Sequence, residues 1–200
     1  MFTFPSSDTT ARGKIFLPAS YATNRNLPTI YLIDFTEQHF KLATDEFEMV
    51  IAGVQKIQGL EALLVTLEGI PDIDAEPQSF QEHYSMYRDM ASYVGGKYTN
   101  NTSRTFIGKG SESGVVLMAL FAEDSETSMF DNFIVTDPSG LYASTVIDAI
   151  ESGDFPKAKR NKKLHFSFSS SNDYEKCTRI IRLIDEADYP WLEFMSAEYL

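Results

Sequence analysis

The sequence predicts an α/β fold: a doubly wound, mainly parallel sheet of about six to eight strands with helices on both faces. Short runs of β-branched and aromatic residues alternate with longer segments whose apolar residues recur at helical spacing. Strands separated by helical connections pair in parallel, because a parallel neighbour needs a crossover. The length of 200 residues suits one domain, and no linker or repeat divides residues 1–200.

The elements alternate along the chain. Predicted strands cover residues 14–17, 29–33, 62–67, 105–107, 132–135, 163–168 and 190–195, and predicted helices cover 40–57, 79–98, 115–122, 142–150 and 173–187. The strands at 29–33 and 62–67 are apolar on both faces, which is typical of buried central strands. Ser79 is placed to cap the second helix.

Charge and composition exclude several classes of protein. Acidic residues number 29 against 17 Lys and Arg, which gives a formal net charge of −12. Nucleic-acid binding is not expected, because neutralising phosphates needs a clustered cationic surface. The run at 157–163 holds five of the 17 cations, and it predicts a solvated charged loop. The single cysteine excludes an intramolecular disulfide and a cysteine-only metal site.

The remaining sequence signals concern location and cofactors. The first residues lack the basic-then-apolar order of a signal peptide. No run is long and apolar enough to span a bilayer. We therefore expect a soluble, cytoplasmic protein with no metal, no cofactor, and no nucleic-acid or membrane partner.

The strand–turn–helix at 104–114 carries the most informative resemblance. Its sequence Arg-Thr-Phe-Ile-Gly-Lys-Gly-Ser-Glu-Ser-Gly resembles the nucleophile elbow of the esterase D-like branch of the α/β-hydrolases, where a similar strand runs into Gly-His-Ser-x-Gly-Gly. Segments 16–21, 30–34 and 130–139 also resemble that family, in the same order and spacing. The resemblance implies an α/β-hydrolase fold and, where the site is intact, hydrolysis of carboxylic esters.

The elbow of this sequence departs from the family at its nucleophile. Aligned without a gap, Gly108 takes the family's first glycine, Lys109 its histidine and Gly110 its catalytic serine. Glu112 then stands where the family has its second glycine. Such an elbow holds its nucleophile on a strained turn with small neighbours. Gly110 adopts strained backbone at little cost but has no group that could attack a substrate.

Ser111 and Ser113 are the alternative nucleophiles. Neither serine has glycines two residues away on both sides, as an elbow requires. Serine is favoured at the start of a helix, because its hydroxyl accepts a hydrogen bond from a free backbone N–H group. We therefore prefer the interpretation of Ser111 as a helix cap over its interpretation as a nucleophile.

A serine hydrolase also needs an imidazole that is oriented by a carboxylate. The resembled family has its histidine after the last strand, whereas residues 196–200 contain none. His39 is the candidate base, because it is the histidine predicted near the carboxyl ends of the strands. Asp173 matches the family's acid, and it equally suits the first turn of a helix, where a carboxylate complements the dipole.

Backbone N–H groups at the start of a helix favour negatively charged groups. The turn from Gly108 to Gly110, with Lys109 beside it, and the backbone near Phe35 are therefore candidate oxyanion or anion-binding positions.

Two functions remain open on this evidence. The preferred one is an inactive hydrolase fold that binds a small acyl or anionic ligand or acts in assembly. The alternative is a carboxylic ester hydrolase with a rebuilt site, in which Ser111 or Ser113 is the nucleophile. The family's final helix has no counterpart after the last predicted strand, so we also expect an exposed apolar patch and a homodimer.

Overall fold

The computed structural model of the chain describes residues 1–6, 9–33, 40–57, 59–68, 74–138, 140–153, 155, 160–171 and 173–199. The strands are β1 (Phe2–Ser6), β2 (Thr9–Phe16), β3 (Thr29–Leu32), β4 (Leu63–Glu68), β5 (Arg104–Lys109), β6 (Asn132–Thr136), β7 (Lys162–Ser169) and β8 (Leu192–Tyr199). The helices are α1 (Phe40–Lys56), α2 (Pro77–Lys97), α3 (Glu112–Ala122), α4 (Gly140–Ser152) and α5 (Tyr174–Ala187), with a 3₁₀ turn at Ala19–Ala22.

These eight strands form a mostly parallel sheet in the order β1-β2-β4-β3-β5-β6-β7-β8. The pairs β3–β4, β6–β7 and β7–β8 are parallel, and in each pair a helix connects strands that are consecutive in the chain. The pairs β1–β2 and β2–β4 are antiparallel. The predicted α/β class and the predicted number of strands are confirmed.

Strand β1 is the element that the sequence prediction lacked. Phe2, Phe4 and Ser6 are buried, whereas Thr3 and Pro5 are exposed. This is the period-two alternation of a strand with one buried face. The run is only five residues long and contains a proline, which weakens a strand prediction because proline cannot donate to the ladder.

The described contacts divide the chain into two compact units, of which the first comprises Met1–Asp72 and Ser85–Thr105. Its core contains β4, where Leu63, Leu64 and Val65 are fully buried. On β1, Phe2 stacks against Tyr93 of α2 with 5.6 Å between the ring centroids. Aromatic pairs in this geometry stabilise a fold beyond the effect of their buried area.

The second unit comprises Ile73–Tyr84 and Phe106–Leu200. Its central helix is α3, in which eight of eleven residues are buried. A helix that is apolar on all sides is typical of a protein interior. Phe106 on β5 stacks on Phe130, with ring centroids 4.4 Å apart. Whether residues 1–200 behave as one domain stays a prediction.

A buried ion pair lies among the apolar residues of this second unit. The ammonium of Lys162 contacts the carboxylate of Glu123, and both side chains are 0% exposed. Lys162 Nζ also donates to Ser128 Oγ at 2.8 Å and to the carbonyl oxygen of Phe130 at 2.7 Å. The hydroxyl of Tyr84 donates to Glu123 Oε1 at 2.6 Å. Because each charged group has several partners, the cost of removing the pair from water is offset. We call these five residues the Glu123–Lys162 cluster.

Two local predictions need correction. Lys162 does not lie in a solvated loop, because it begins β7 with its side chain buried; the neighbouring residues 156–159 lie outside the described residues. Ser79 does not cap α2, because the helix begins at Pro77. Proline suits the first helical position, where no N–H group is needed. The hydroxyl of Ser79 instead accepts a hydrogen bond from the N–H group of Asp74 at 3.1 Å.

None of the helices in the described part of the chain combines the length and the apolar content needed to cross a membrane.

Candidate functional site

The turn between β5 and α3 has the backbone geometry of an elbow. β5 ends at Lys109, Gly110 has a φ of +64°, and α3 begins at Glu112. L-amino acids with side chains rarely adopt such a φ, whereas glycine does so freely. The N–H group of Gly110 donates to the carbonyl oxygen of Thr136 at 2.9 Å, which joins the turn to the carboxyl end of β6.

Gly108 allows β5 and α3 to lie close together. A Cβ atom at this position would lie 2.7 Å from the carbonyl oxygen of Glu112 and 2.7 Å from Val116 Cγ2. Both distances are shorter than real Cβ contacts, and one of them is to backbone. A small residue is therefore required two positions before Gly110, as the resemblance to an elbow implies.

Ser111 stands at the N-cap position of α3, but its hydroxyl makes no capping hydrogen bond. Its φ and ψ are −62° and −37°, which is helical backbone. Capping side chains usually reach back from extended backbone, so this conformation explains the difference from the expected cap. The sequence prediction began this helix at residue 115, whereas α3 begins at Glu112. The capping role of the Ser111 hydroxyl is not observed.

Ser113 is fully buried in the first turn of α3. Its Oγ lies 3.0 Å from the carbonyl oxygen of Gly108 and 2.9 Å from that of Thr136. Both are acceptors, so they share the one hydrogen of the hydroxyl. The hydroxyl therefore holds the end of β5, the end of β6 and the start of α3 together.

Asp173, the candidate acid, is the N-cap residue of α5. Its carboxylate accepts a hydrogen bond from the N–H group of Lys176 at 3.4 Å and pairs with the Lys176 ammonium at 3.0 Å. It also lies against the start of α4, since a Cβ atom on Gly140 would be 2.6 Å from Asp173 Oδ2. These contacts give the carboxylate a capping role in the structure.

Asp137 and Tyr199 are residues of this sheet edge that the sequence prediction did not select. Asp137 follows β6 with a φ of +47°. One of its carboxylate oxygens accepts a hydrogen bond from the N–H group of Ser169 at 2.7 Å, and the other accepts one from the hydroxyl of Tyr199. The carboxyl ends of β6, β7 and β8 are thereby joined. An Asp with positive φ after a strand is not visible in the sequence, because aspartate is also common in ordinary turns.

The Asp137–Tyr199 contact predicts a measurable pH dependence. The hydrogen bond to the Asp137 carboxylate, more than burial, raises the pKa of Tyr199 to about 12. Since the folded value lies above that of a free tyrosine, about 10, the contact's contribution to stability is complete below pH ~10 and is lost as the pH rises toward ~12. Titration of the tyrosine Cζ resonances, assigned with Tyr199→Phe, is expected to show Tyr199 still largely protonated at about pH 11.

Asp137→Asn is the matched control, because asparagine tolerates positive φ; it removes the charge and leaves one acceptor oxygen in place of two. In that variant the pKa of Tyr199 is expected to return toward 10. An unchanged pKa would contradict the contact.

Two of the three histidines lie among the described residues. His83 lies buried in α2, with its Nδ1 atom 2.7 Å from the carbonyl oxygen of Ser79. His165 lies within β7, paired in register with Met195 of β8. His39, the candidate base, and Phe35, the candidate oxyanion position, lie outside the described residues. Among the described residues, no group of three or more His, Cys, Asp or Glu side chains is placed to hold a metal ion.

Comparison with known proteins finds no protein-family model and no curated protein that matches the chain. Among solved structures, an IroE-like serine hydrolase from Shewanella oneidensis is similar over 100% of this chain and 72% of its own, with 16% identity and a TM-score of 0.73. The siderophore hydrolase EstA from Aspergillus nidulans is similar over 100% of this chain and 86% of its own, with 16% identity and a TM-score of 0.61.

A hyperthermophilic esterase from Pyrobaculum calidifontis is similar over 99% of this chain and 74% of its own, with 15% identity and a TM-score of 0.60. At these identities the likeness concerns the fold, and activity has to be argued from the site. The chain has the α/β-hydrolase fold that these serine hydrolases and esterases share.

Proposed function

We propose that this protein is a non-hydrolytic α/β-hydrolase-fold protein that binds a small acyl or anionic ligand without cleaving it. One observation carries the proposal: in the β5–α3 turn, the residue with positive φ is Gly110. A nucleophile elbow holds its reactive side chain at the strained position of the turn. Gly110 has no side chain, so this position offers a substrate no hydroxyl.

The environments of the two neighbouring serines support the same conclusion. A nucleophile must be reached by both the substrate and a base. Ser113 is 0% exposed, and its hydroxyl is directed at the carbonyl oxygens of Gly108 and Thr136. Ser111 has helical backbone, without the strain that brings a nucleophile out of an elbow. Neither serine therefore has the setting of an attacking group.

The proposed ligand class follows from the start of α3. The first N–H groups of a helix have no acceptor within the helix, and the dipole there favours negative charge. The side chain of Lys109 is exposed at the end of β5 and adds a positive charge next to this turn. A short-chain carboxylate matches both features, but it competes there with the carboxylate of Glu112, whose Oε2 lies 3.7 Å from a Cβ atom built on Gly110. Such a carboxylate is also the acyl product that an ester hydrolase of this fold would release.

The test of inactivity is labelling of the full chain with a fluorophosphonate probe, together with an assay of 4-nitrophenyl butyrate hydrolysis. We expect no labelling and no enzymatic turnover, because the strained position lacks a hydroxyl. Ser111→Ala and Ser113→Ala are the matched variants, and both are expected to give the same background as the unaltered chain. An active esterase of the same fold serves as the positive control. Stoichiometric labelling of Ser111 or Ser113, or turnover abolished by one of these variants, would instead establish a rebuilt hydrolase.

The binding arm of the same experiment uses butyrate, with butyramide as the uncharged control. We expect butyrate to shift the amide resonances of residues 108–114, and we expect Lys109→Met to weaken that effect. Equal responses to butyrate and butyramide would contradict an anion-binding turn. No response to either would contradict the proposed ligand class.

A further inference from the structure

A cleft of about 410 Å³ opens at the opposite edge of the second unit from the β5–α3 turn. It lies at the amino ends of β6, β7 and β8, which are three adjacent parallel strands. Six of the lining residues lie at or directly before the starts of these strands: Asp131, Asn132, Asn161, Lys163, Trp191 and Glu193. Its volume lies within the range of small-molecule sites, roughly 300–1,000 Å³.

Backbone hydrogen bonds fix the two segments that lead into β6 and β8. The N–H group of Lys163 donates to the carbonyl oxygen of Asp131 at 2.9 Å, and that of Lys162 donates to the carbonyl oxygen of Trp191 at 2.8 Å. Both contacts attach a lining residue to the start of β7. The cleft is therefore built on the ends of strands, and the backbone of Asp131 and Trp191 is held in place before any ligand binds.

One wall of the cleft is aromatic. Trp191 packs against Tyr189, with 5.1 Å between ring centroids, and edge-on against Phe121, with 6.3 Å between centroids. These neighbours limit the motion of the indole. An indole ring has a flat apolar face, so it can cover the apolar face of a ligand.

The remaining walls carry polar groups with little net charge. The carboxamides of Asn132 and Asn161 line the cleft, and within the described residues neither makes a hydrogen bond to the protein. Each carboxamide can donate and accept at once. Lys163 and Glu193 form an ion pair at 2.8 Å, with side chains 63% and 62% exposed. The ammonium of Lys162 is directed into the Glu123–Lys162 cluster instead, where it is completely buried.

From this combination we propose that the cleft binds a neutral saccharide, a mono- or disaccharide ring with several hydroxyl groups. Adjacent ring hydroxyls each donate and accept, which suits the two carboxamides and the ion pair. The C–H face of a sugar ring is apolar and flat, which suits the indole of Trp191. The carboxylates of Asp131 and Glu193 disfavour phosphates and other anions. This cleft is separate from the β5–α3 turn. The saccharide proposed here is therefore a second ligand, distinct from the acyl or anionic ligand proposed for that turn.

The test uses Trp191 as its own reporter, because it is the single tryptophan of the chain. Glucose, galactose, mannose, maltose and cellobiose are titrated into the full chain while tryptophan emission is recorded. We expect a saturable change in emission with at least one of these sugars. Asn132→Ala and Asn161→Ala are each expected to weaken binding roughly three- to tenfold, as the loss of one neutral hydrogen bond does.

Asn100→Ala is the matched control, because Asn100 is exposed and belongs to the first unit; it is expected to leave the titration unchanged. Emission that changes only linearly with every sugar would overturn the proposal. A saturable response to phosphate or to arginine amide, but not to sugars, would assign the cleft to a charged ligand and would also overturn it. Neither result would alter the outcome of the fluorophosphonate or butyrate experiments.

Discussion

Lys162→Met is expected to lower the free energy of unfolding by about 3–5 kcal/mol, because it leaves the carboxylate of Glu123 buried without its counter-ion. Methionine retains most of the length and apolar character of the lysine stem. The decrease in the free energy of unfolding is therefore due mainly to the missing ammonium group. The change is to be measured as a shift of the urea midpoint with an unchanged slope. Adding Glu123→Gln is expected to recover part of the loss, because it removes the unpaired charge.

The adjacent residue provides the matched control. Lys163 also forms an ion pair, but its side chain and that of Glu193 are 63% and 62% exposed. Water screens such a pair, so Lys163→Met is expected to change stability by less than about 1 kcal/mol. If the two variants were equally stable, the buried Glu123–Lys162 cluster would not exist as described.

Lys162 and Lys163 also show which features of the fold could be predicted from the sequence and which could not. The order and type of the elements from residue 14 onward were predictable, because strand and helix periods are local properties of the chain. Alternation along β7 places Lys162 on the same face as Leu164 and Phe166, which are buried. The charge run at 157–163 suggested a loop instead, and the partner Glu123 lies 39 residues away. Pairing over such a distance depends on tertiary structure.

The candidate site was likewise predictable only in part. The elbow frame was predictable, since a turn with positive φ favours glycine and Gly110 is the residue that adopts it. The role of the Ser113 hydroxyl was not, because its acceptors belong to two different strands. The contact of Asp137 with Tyr199 spans 62 residues, so no local motif marks it.

Gly108→Ala is expected to cost about 1–3 kcal/mol, the usual effect of overpacking a filled interior. The new methyl group would lie 2.7 Å from the carbonyl oxygen of Glu112, and this backbone atom can move only if the start of α3 moves. Urea unfolding measures the effect. Gly53→Ala in α1 is the matched control, because a Cβ atom there meets nothing within 4 Å. Alanine favours a helix over glycine, so this variant is expected to gain roughly 0.5–1 kcal/mol.

Gly110→Ala tests the backbone conformation of the same turn, whereas Gly108→Ala tests its steric crowding. The nearest atom to its Cβ would be Glu112 Oε2 at 3.7 Å, so there is space, but φ is +64°. The expected cost is therefore conformational, about 1–2 kcal/mol, and Gly110→Asn should recover much of it because asparagine tolerates this backbone. If Gly110→Ala were as stable as the unaltered chain, the turn would not be strained at this residue. The alignment of Gly110 with the family's serine would then lose its physical support, and Ser111 would again be a candidate nucleophile.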